Sequence, residues 1–176
     1  MSFIDRDKEL ALLEKEYKRT GASFAVIYGR RRVGKTTLIK EFIKNKQAIY
    51  CLADKQDKKI QLNRFKDIAA ENWDDDVLRQ ISVDSWDGIF NYILKHNPPG
   101  KRLIIVIDEF QYLTKVNKAV PSIFQRIWDD VMKDRDIMLI LCGSLISMMY
   151  DTTLSYKSPL LRQSDRVTGD GAKALI

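Results

Sequence analysis

The sequence predicts an α/β fold in which a mainly parallel β-sheet lies between two layers of helices. Four short apolar segments rich in branched residues alternate with longer segments whose apolar residues recur every three or four positions. Continuously apolar segments are typical of strands buried on both faces, as in parallel sheets. The chain has 176 residues, 45% of them hydrophobic and 31% charged. These values indicate one globular domain with a sizeable core.

The four apolar segments are the predicted strands. They comprise residues 24–28 (FAVIY), 48–52 (AIYCL), 103–107 (LIIVI) and 137–142 (IMLILC). Two of them contain the cysteines, Cys51 and Cys142. Neither cysteine has the CxxC spacing or the nearby histidine cluster of a metal site, so we expect buried, reduced thiols.

Five helices are predicted around these strands, each with one apolar face. Asp5 is expected to cap the first helix and Ser85 the fourth, the second begins at Lys35, and Pro121 suits the first turn of the fifth. The inward faces, helix by helix, are Leu10, Leu13 and Tyr17; Leu38, Ile39, Phe42 and Ile43; Ile60, Phe65 and Ile68; Ile89, Phe90 and Ile93; and Phe124, Ile127, Trp128 and Val131. Residues 74–76 and 96–100 are predicted loops.

The charge pattern constrains partners only loosely. The net charge is +6, but the lysines alternate with acids along helical faces, which favours a solvated surface. Nucleic acid therefore remains a weakly supported partner. The chain has no run of about 18 apolar residues, and its first ten residues carry charges where a signal peptide is apolar. We expect a cytoplasmic protein with no membrane partner.

A phosphate-binding pattern occupies the junction between the first strand and the second helix. Residues 29–36 read GRRRVGKT and match GxxxxGK[ST]. In this pattern the glycines let backbone N–H groups surround a phosphate, Lys35 reaches the β- and γ-phosphate oxygens, and the Thr36 hydroxyl ligates Mg²⁺. The arginines are expected mostly on the outer face of the loop. The predicted nucleotide-binding residues are Gly29, Arg30, Arg31, Arg32, Val33, Gly34, Lys35, Thr36 and Thr37.

Two acids end the third apolar segment, LIIVIDEF, as in a Walker B strand. Asp108 is the expected Mg²⁺-binding residue. Glu109 points the opposite way if the strand geometry continues, and is expected to polarise the attacking water as general base. In the alternative interpretation the two acids merely cap a following helix near residues 111–115.

Ser144 follows the fourth strand in the segment LILCGS. In NTPases with an additional strand, the strand after Walker B lies beside the phosphate-loop strand and brings a polar residue to the γ-phosphate. Ser144 is the predicted sensor by this order of motifs. Alternatively, Gly143 and Ser144 only end a strand and cap the next helix.

With these motifs the sequence resembles the archaeal-type ATPases of the AAA+ class, which are related to the STAND signalling ATPases. The matching segments are FIDRDKELALLEKEY, VIYGRRRVGKTTLIKEF, LIIVIDEFQYL and LILCGSLISMMYDTTLSYKSPL, within residues 3–160. The resemblance implies a three-layer αβα P-loop NTPase, binding of ATP or ADP with Mg²⁺, and ATP hydrolysis. It also implies that Phe3, Ile4 and Arg6 lie near the adenine. Three consecutive arginines are usual in this family's loop.

The resemblance ends after Leu160, and the helical lid of the family does not follow. We therefore interpret residues 1–160 as the ATPase core and residues 161–176 as a non-matching, truncated tail. Three functions stay open: an ATPase that couples turnover to conformational change, a nucleotide-binding switch with little hydrolysis, and a DNA-associated motor. The partner is ATP, with a homo-oligomer or a protein partner also open.

The sheet edge next to the phosphate-loop strand raises a separate expectation. In the AAA+ arrangement a fifth core strand covers this edge. The tail residues 172–176 (AKALI) make a poor replacement, because they follow Gly169 and Gly171 and number only five. We therefore predict an exposed edge at residues 24–28, with marginal stability or self-association as its consequence.

Overall fold

The computed structural model describes residues 6–98 and 100–143 and the backbone of residues 173–175. The strands are β1 (Ser23–Tyr28), β2 (Ala48–Leu52), β3 (Leu103–Asp108), β4 (Ile137–Gly143) and β5 (Lys173–Leu175). They form one sheet in the order β2-β3-β4-β1-β5. β1 to β4 are parallel and β5 is antiparallel to β1. The predicted fold class is confirmed, and the four predicted strands agree with the observed ones to within one residue at each end.

Seven α-helices are seen in the described part of the chain. They are α1 (Asp7–Tyr17), α2 (Lys35–Ile43), α3 (Lys58–Trp73), α4 (Asp76–Gln80), α5 (Trp86–His96), α6 (Gln111–Val116) and α7 (Val120–Ile127). A π-helical turn, Trp128–Met132, continues α7. The five predicted helices are all present, and Ser85 caps α5 by accepting a hydrogen bond from the Gly88 amide at 3.1 Å. None of the described helices is long and apolar enough to cross a membrane.

The helices cover both faces of the sheet and so form two separate cores. On one face, Leu13 of α1 and Leu38 of α2 pack against strand residues such as Ile27. On the other face, α3 to α7 pack against alternate residues of the same strands. This second core is aromatic: the Phe65, Phe90 and Phe124 rings lie in one cluster with centroid separations of 5.4–5.6 Å where they touch. The predicted three-layer arrangement follows from this alternation.

Three local predictions are wrong. The residue that precedes α1 is Arg6 rather than Asp5, and Asp5 lies outside the described residues. Ile60 is 46% exposed because it lies in the first turn of α3, where its amide donates to the capping Asp57. Residues 74–76 are not simply a loop, since the Asp75 carboxylate accepts the Leu78 amide at 2.9 Å and α4 begins at Asp76.

A further difference lies at the start of the predicted loop 96–100. His96 is the last residue of α5 rather than the first of the loop, and its Nδ1 lies 2.9 Å from the Tyr92 carbonyl. The same tyrosine supports the α4 cap, because its hydroxyl donates to Asp75 at 2.9 Å. The Leu78 amide and the Tyr92 hydroxyl together lower the pKa of Asp75.

The sheet edge at β1 is partly covered, contrary to the expectation that the tail leaves it exposed. β5 pairs with β1 over Val26, Ile27 and Tyr28. Three antiparallel pairs need only a short extended segment, which Lys173–Leu175 supplies. The tail is thus a shorter cover than the expected fifth strand, because residues 23–25 have no partner on this side within the described chain.

The strand order places the predicted motifs at one edge of the sheet. β4 lies between β1 and β3, as the additional-strand order predicts. The loop after β1 and the acids that end β3 are therefore both at the carboxyl edge, where parallel sheets bind ligands. The Phe110 amide donates to the Cys142 carbonyl at 2.8 Å and ties the end of β3 to β4.

Candidate functional site

The glycine-rich loop, residues 29–34, joins β1 to α2 at the carboxyl edge of the sheet. Gly34 has φ +80° at the residue before α2, a left-handed conformation that L side chains adopt with strain. Arg32 is also left-handed, with φ +64°. These two turns direct the chain into α2 so that the amino end of the helix faces the loop. The Gly34 carbonyl accepts the first helical hydrogen bond, from Leu38 at 2.9 Å.

The side chain of Lys35, the first residue of α2, packs against the glycine-rich loop. Its side chain is buried, with the residue 6% exposed, and Nζ donates to the carbonyls of Gly29 at 3.2 Å and Arg30 at 2.8 Å. Two backbone carbonyls of the loop therefore supply hydrogen-bond acceptors for the ammonium group. An anion that entered the loop would meet this charge directly.

Thr36 and Asp108 are in direct contact. The Thr36 hydroxyl donates to Oδ2 of Asp108 at 2.7 Å, which joins the first turn of α2 to the end of β3. Asp108 is 1% exposed, and its other oxygen accepts the Glu109 amide at 2.8 Å. A hydroxyl and a carboxylate, both hard oxygen ligands, thus lie side by side next to the loop.

Two groups from neighbouring strands also reach Asp108, and the sequence alone did not single them out. The Tyr50 hydroxyl on β2 donates to Oδ2 at 2.8 Å. Burial and the Asp108 charge raise the pKa of Tyr50, so the phenol stays protonated. The Cys142 thiol on β4 has its pKa raised by burial and by the same carboxylate. Burial also raises the pKa of Cys51 to about 11, and both thiols are free and buried as predicted.

Glu109 departs from the strand geometry that the sequence analysis assumed. β3 ends at Asp108, and Glu109 is left-handed with φ +55°, a conformation that strains a residue with a side chain. Its carboxylate accepts a hydrogen bond from the side-chain amide of the buried Gln111. The alternative in which the acids cap the next helix is wrong, since Phe110 precedes α6 without a side-chain cap.

The three arginines of the loop are exposed, in keeping with the prediction that they face outward. Arg31 is held on α6: its Nη2 donates to the Tyr112 hydroxyl at 3.0 Å. The Tyr112 ring also lies 5.5 Å from the Lys115 ammonium. Arg6, at the amino end of α1, donates to the Val33 carbonyl and so reaches the loop from another direction.

A cavity of about 410 Å³ opens at this edge. It is lined by Arg31, Arg32, Gly34, Lys35, Thr36, Thr37 and Glu109. Two larger cavities, of about 560 and 540 Å³, lie at the opposite edge, where residues that directly precede the strands surround Arg102. That guanidinium is occupied by backbone and side-chain acceptors, among them the Gly21 carbonyl at 2.7 Å and the Ser23 hydroxyl at 2.7 Å.

The structure thus brings most of the predicted site residues to one place. The loop residues, Thr36, Asp108 and Glu109 border one cavity or touch a residue that does. Ser144, with Phe3 and Ile4, lies outside the described residues. Sequence analysis did not identify two residues at this site, Tyr50 and Gln111. The feature of the sequence that could have indicated Tyr50 is its hydroxyl-bearing side chain in the strand beside β3. No group of three or more His, Cys, Asp or Glu residues able to hold a metal occurs among the described residues.

A parallel sheet with a glycine-rich loop after β1 and an Asp at the end of β3 defines a class, the P-loop ATPase cores of AAA+ type. The chain belongs to the family described as the ATPase domain predominantly from Archaea, whose model matches residues 3–170. The resemblance seen in the sequence is confirmed.

The chain is also similar to individual proteins. An uncharacterized protein of Methanocaldococcus jannaschii is 40% identical over 158 residues, which are 90% of this chain and 33% of that protein. An uncharacterized ATP-binding protein of the same organism is 45% identical over 53 residues, or 28% of this chain and 90% of that protein. A Walker-type ATPase of Pyrococcus abyssi has the same fold, with a TM-score of 0.61, 20% identity, and coverage of 90% of this chain and 51% of that one. The chain therefore spans a third to a half of its longer relatives.

Proposed function

We propose that this chain binds ATP with Mg²⁺ at the carboxyl edge of the sheet, hydrolyses it, and couples nucleotide state to conformational change. The single observation that carries the proposal is the 2.7 Å hydrogen bond between Thr36 and Asp108, made beside a cavity that contains Lys35 and Glu109. Family membership supports ATP as the nucleotide.

The residues present fit a triphosphate. In the proposed complex, loop amides and the amino end of α2 supply hydrogen-bond donors and a positive potential to the β-phosphate. Lys35 exchanges its two backbone acceptors, Gly29 and Arg30, for β- and γ-phosphate oxygens. This exchange is local, because Nζ already lies against the loop.

The residues also fit Mg²⁺. Thr36 and Asp108 provide one hydroxyl and one carboxylate, and a magnesium site that is completed by phosphates and water needs few protein ligands. Bound Mg²⁺ supplies charge neutralisation at the β- and γ-phosphate oxygens. Thr36 would hold the ion through its hydroxyl oxygen and Asp108 would hold it through water, while the Asp108 carboxylate keeps its hydrogen bond from the Thr36 hydroxyl.

Glu109 is the proposed general base. Its carboxylate borders the cavity on the side of β3, where it can accept a proton from water that attacks the γ-phosphate. To do so it exchanges its hydrogen bond with Gln111 for one with water. Ser144 remains the proposed sensor of the γ-phosphate.

A second candidate function is a nucleotide-binding switch with little hydrolysis. The observation that favours it is the Gln111 amide on the Glu109 carboxylate, which occupies the base in this conformation. Steady-state turnover separates the two candidates, because a switch binds Mg-ATP without releasing phosphate at a catalytic rate.

The binding proposal is tested by replacing Lys35 with Ala. Lys35→Ala removes the loop cation nearest the proposed phosphates but leaves the backbone cradle in place. We expect at least about a tenfold loss of ATP affinity, or ~1.4 kcal/mol, by titration calorimetry in Mg²⁺. Lys44→Ala is the matched control: it removes an exposed lysine at the other end of α2, whose partner is Glu41 at 3.8 Å. Equal ATP affinities in the parent and Lys35→Ala contradict the assignment.

A further inference from the structure

The Asp108 carboxylate accepts hydrogen bonds from α2, from β2 and from the turn after β3, and the Cys142 thiol on β4 also contacts it. Thr36 on α2 and Tyr50 on β2 both donate to Oδ2, at 2.7 and 2.8 Å, and the backbone amide of Glu109 donates to Oδ1. Two of these donors belong to residues with a proposed role in the chemistry: Thr36 as a ligand of Mg²⁺ and Glu109 as the general base. Tyr50 is a hydroxyl donor that lies outside both α2 and the turn at Glu109.

Strand pairing and ring packing hold Tyr50 in place. Tyr50 lies opposite Val106 in the parallel ladder, and Leu52 lies opposite Asp108 itself. The Tyr50 ring packs against the core that α1 and α2 form on this face, with the Lys40 ammonium 5.6 Å from the ring centre. The position of the hydroxyl is therefore set by the pairing of β2 with β3 and by the packing of the ring, and both contacts lie outside the glycine-rich loop.

We infer that Tyr50 is a positioning residue for the metal site, which fixes the Asp108 carboxylate in the orientation that Mg²⁺ needs when it arrives with a nucleoside triphosphate. This inference rests on the proposed function. Hydrogen bonds to a metal-binding carboxylate from a second layer of residues fix its orientation and tune metal affinity. Without the Tyr50 hydroxyl, the hydroxyl that still donates to Oδ2 of Asp108 among the described residues is that of Thr36, the residue that must also ligate the ion.

The test is Tyr50→Phe, which removes the hydroxyl and keeps the ring. Thermal unfolding is followed at a fixed concentration of the non-hydrolysable analogue adenylyl imidodiphosphate while Mg²⁺ is titrated. We expect the Mg²⁺ concentration for half-maximal stabilisation to rise about tenfold, with no change in the stabilisation that the analogue gives in EDTA. Each variant is compared with its own metal-free state, so a general loss of stability in Tyr50→Phe does not mimic the effect.

Tyr92→Phe is the matched control. Tyr92 also donates its hydroxyl to a carboxylate, Asp75 at 2.9 Å, and neither residue lines the cavity. Its Mg²⁺ midpoint should equal that of the parent. An unchanged midpoint in Tyr50→Phe, beside a parent that Mg²⁺ does stabilise, overturns the role of Tyr50 alone. If Mg²⁺ with the analogue fails to stabilise the parent, the proposed function and the role of Tyr50 both fall.

Discussion

Asp108 and Glu109 are neighbours in the sequence, but their surroundings suit them to different tasks. Asp108 is buried, and its oxygens accept hydrogen bonds from the Thr36 and Tyr50 hydroxyls and from the Glu109 amide. Glu109 is only partly buried, lines the cavity, and its carboxylate accepts a hydrogen bond from the side-chain amide of Gln111. A fixed carboxylate suits metal binding, whereas a base must exchange its partner for water. The left-handed backbone of Glu109 makes this difference, because it turns the second acid out of the strand.

Glu109→Gln tests the proposed base. The substitution keeps size and hydrogen bonding but removes the proton acceptor, so Mg-ATP should still bind while hydrolysis falls by roughly 10²-fold or more. Binding is measured by calorimetry and turnover by phosphate release. Glu71→Gln, an exposed acid on α3, makes the same chemical change away from the cavity and should match the parent. If Glu109→Gln releases phosphate at the parent's rate, the base lies elsewhere.

The sequence predicted which residues lie together at the candidate site better than it predicted the contacts among them. Lys35, Thr36 and Asp108 were identified because a fixed spacing and a strand end place them. Tyr50 was not, because its contact depends on which strand neighbours β3 and on how far a phenol reaches across the ladder. Neither property has a local signature in the sequence.

Among the elements, the buried strands and the long helices were predicted most accurately. Continuous apolar segments and a 3.6-residue period are strong signals, and the Ser85 cap was confirmed at 3.1 Å. The elements that the sequence missed are short. α4 has only five residues, too few for a period, and it depends on the Asp75 cap and on the Tyr92 hydroxyl that supports it. β5 has three residues and is held by pairing rather than by its own pattern.

The contribution of the short strand β5 to stability can be tested by substitution. Replacing Lys173 and Ala174 together with Pro removes two successive amides, one of which must face β1 because strand amides alternate. We expect a lower midpoint of thermal unfolding and concentration-dependent self-association by light scattering, since the edge at Val26–Tyr28 loses its cover. Mg-ATP should raise the midpoint of both proteins by mass action.

Lys173→Val with Ala174→Val is the control for that change, because it keeps both amides and favours an extended chain. It should behave as the parent does. A doubly proline-substituted chain that stays monomeric and unfolds at the parent's temperature shows that β5 contributes nothing to the stability of this edge.

For the whole molecule, the alternation of apolar and amphipathic segments was enough to predict the three layers. The position of the site also followed from the sequence, because the motif order predicts β4 between β1 and β3 and places the ends of both motif strands at the carboxyl edge. Overall charge was a poor guide, since a net charge of +6 distinguishes no partner. The two cavities around Arg102 show that cavity volume alone also misleads, because both are larger than the cavity at the glycine-rich loop.

The measurement that tests the central claim most directly is a crystal structure of this chain with Mg²⁺ and a non-hydrolysable ATP analogue. We predict that the phosphates occupy the 410 Å³ cavity and that Lys35 moves from the Gly29 and Arg30 carbonyls to the β- and γ-phosphates. Mg²⁺ should lie at Thr36, with Asp108 joined to it through water. A triphosphate bound away from the glycine-rich loop, or Mg²⁺ with neither Thr36 nor Asp108 in its surroundings, would contradict the account.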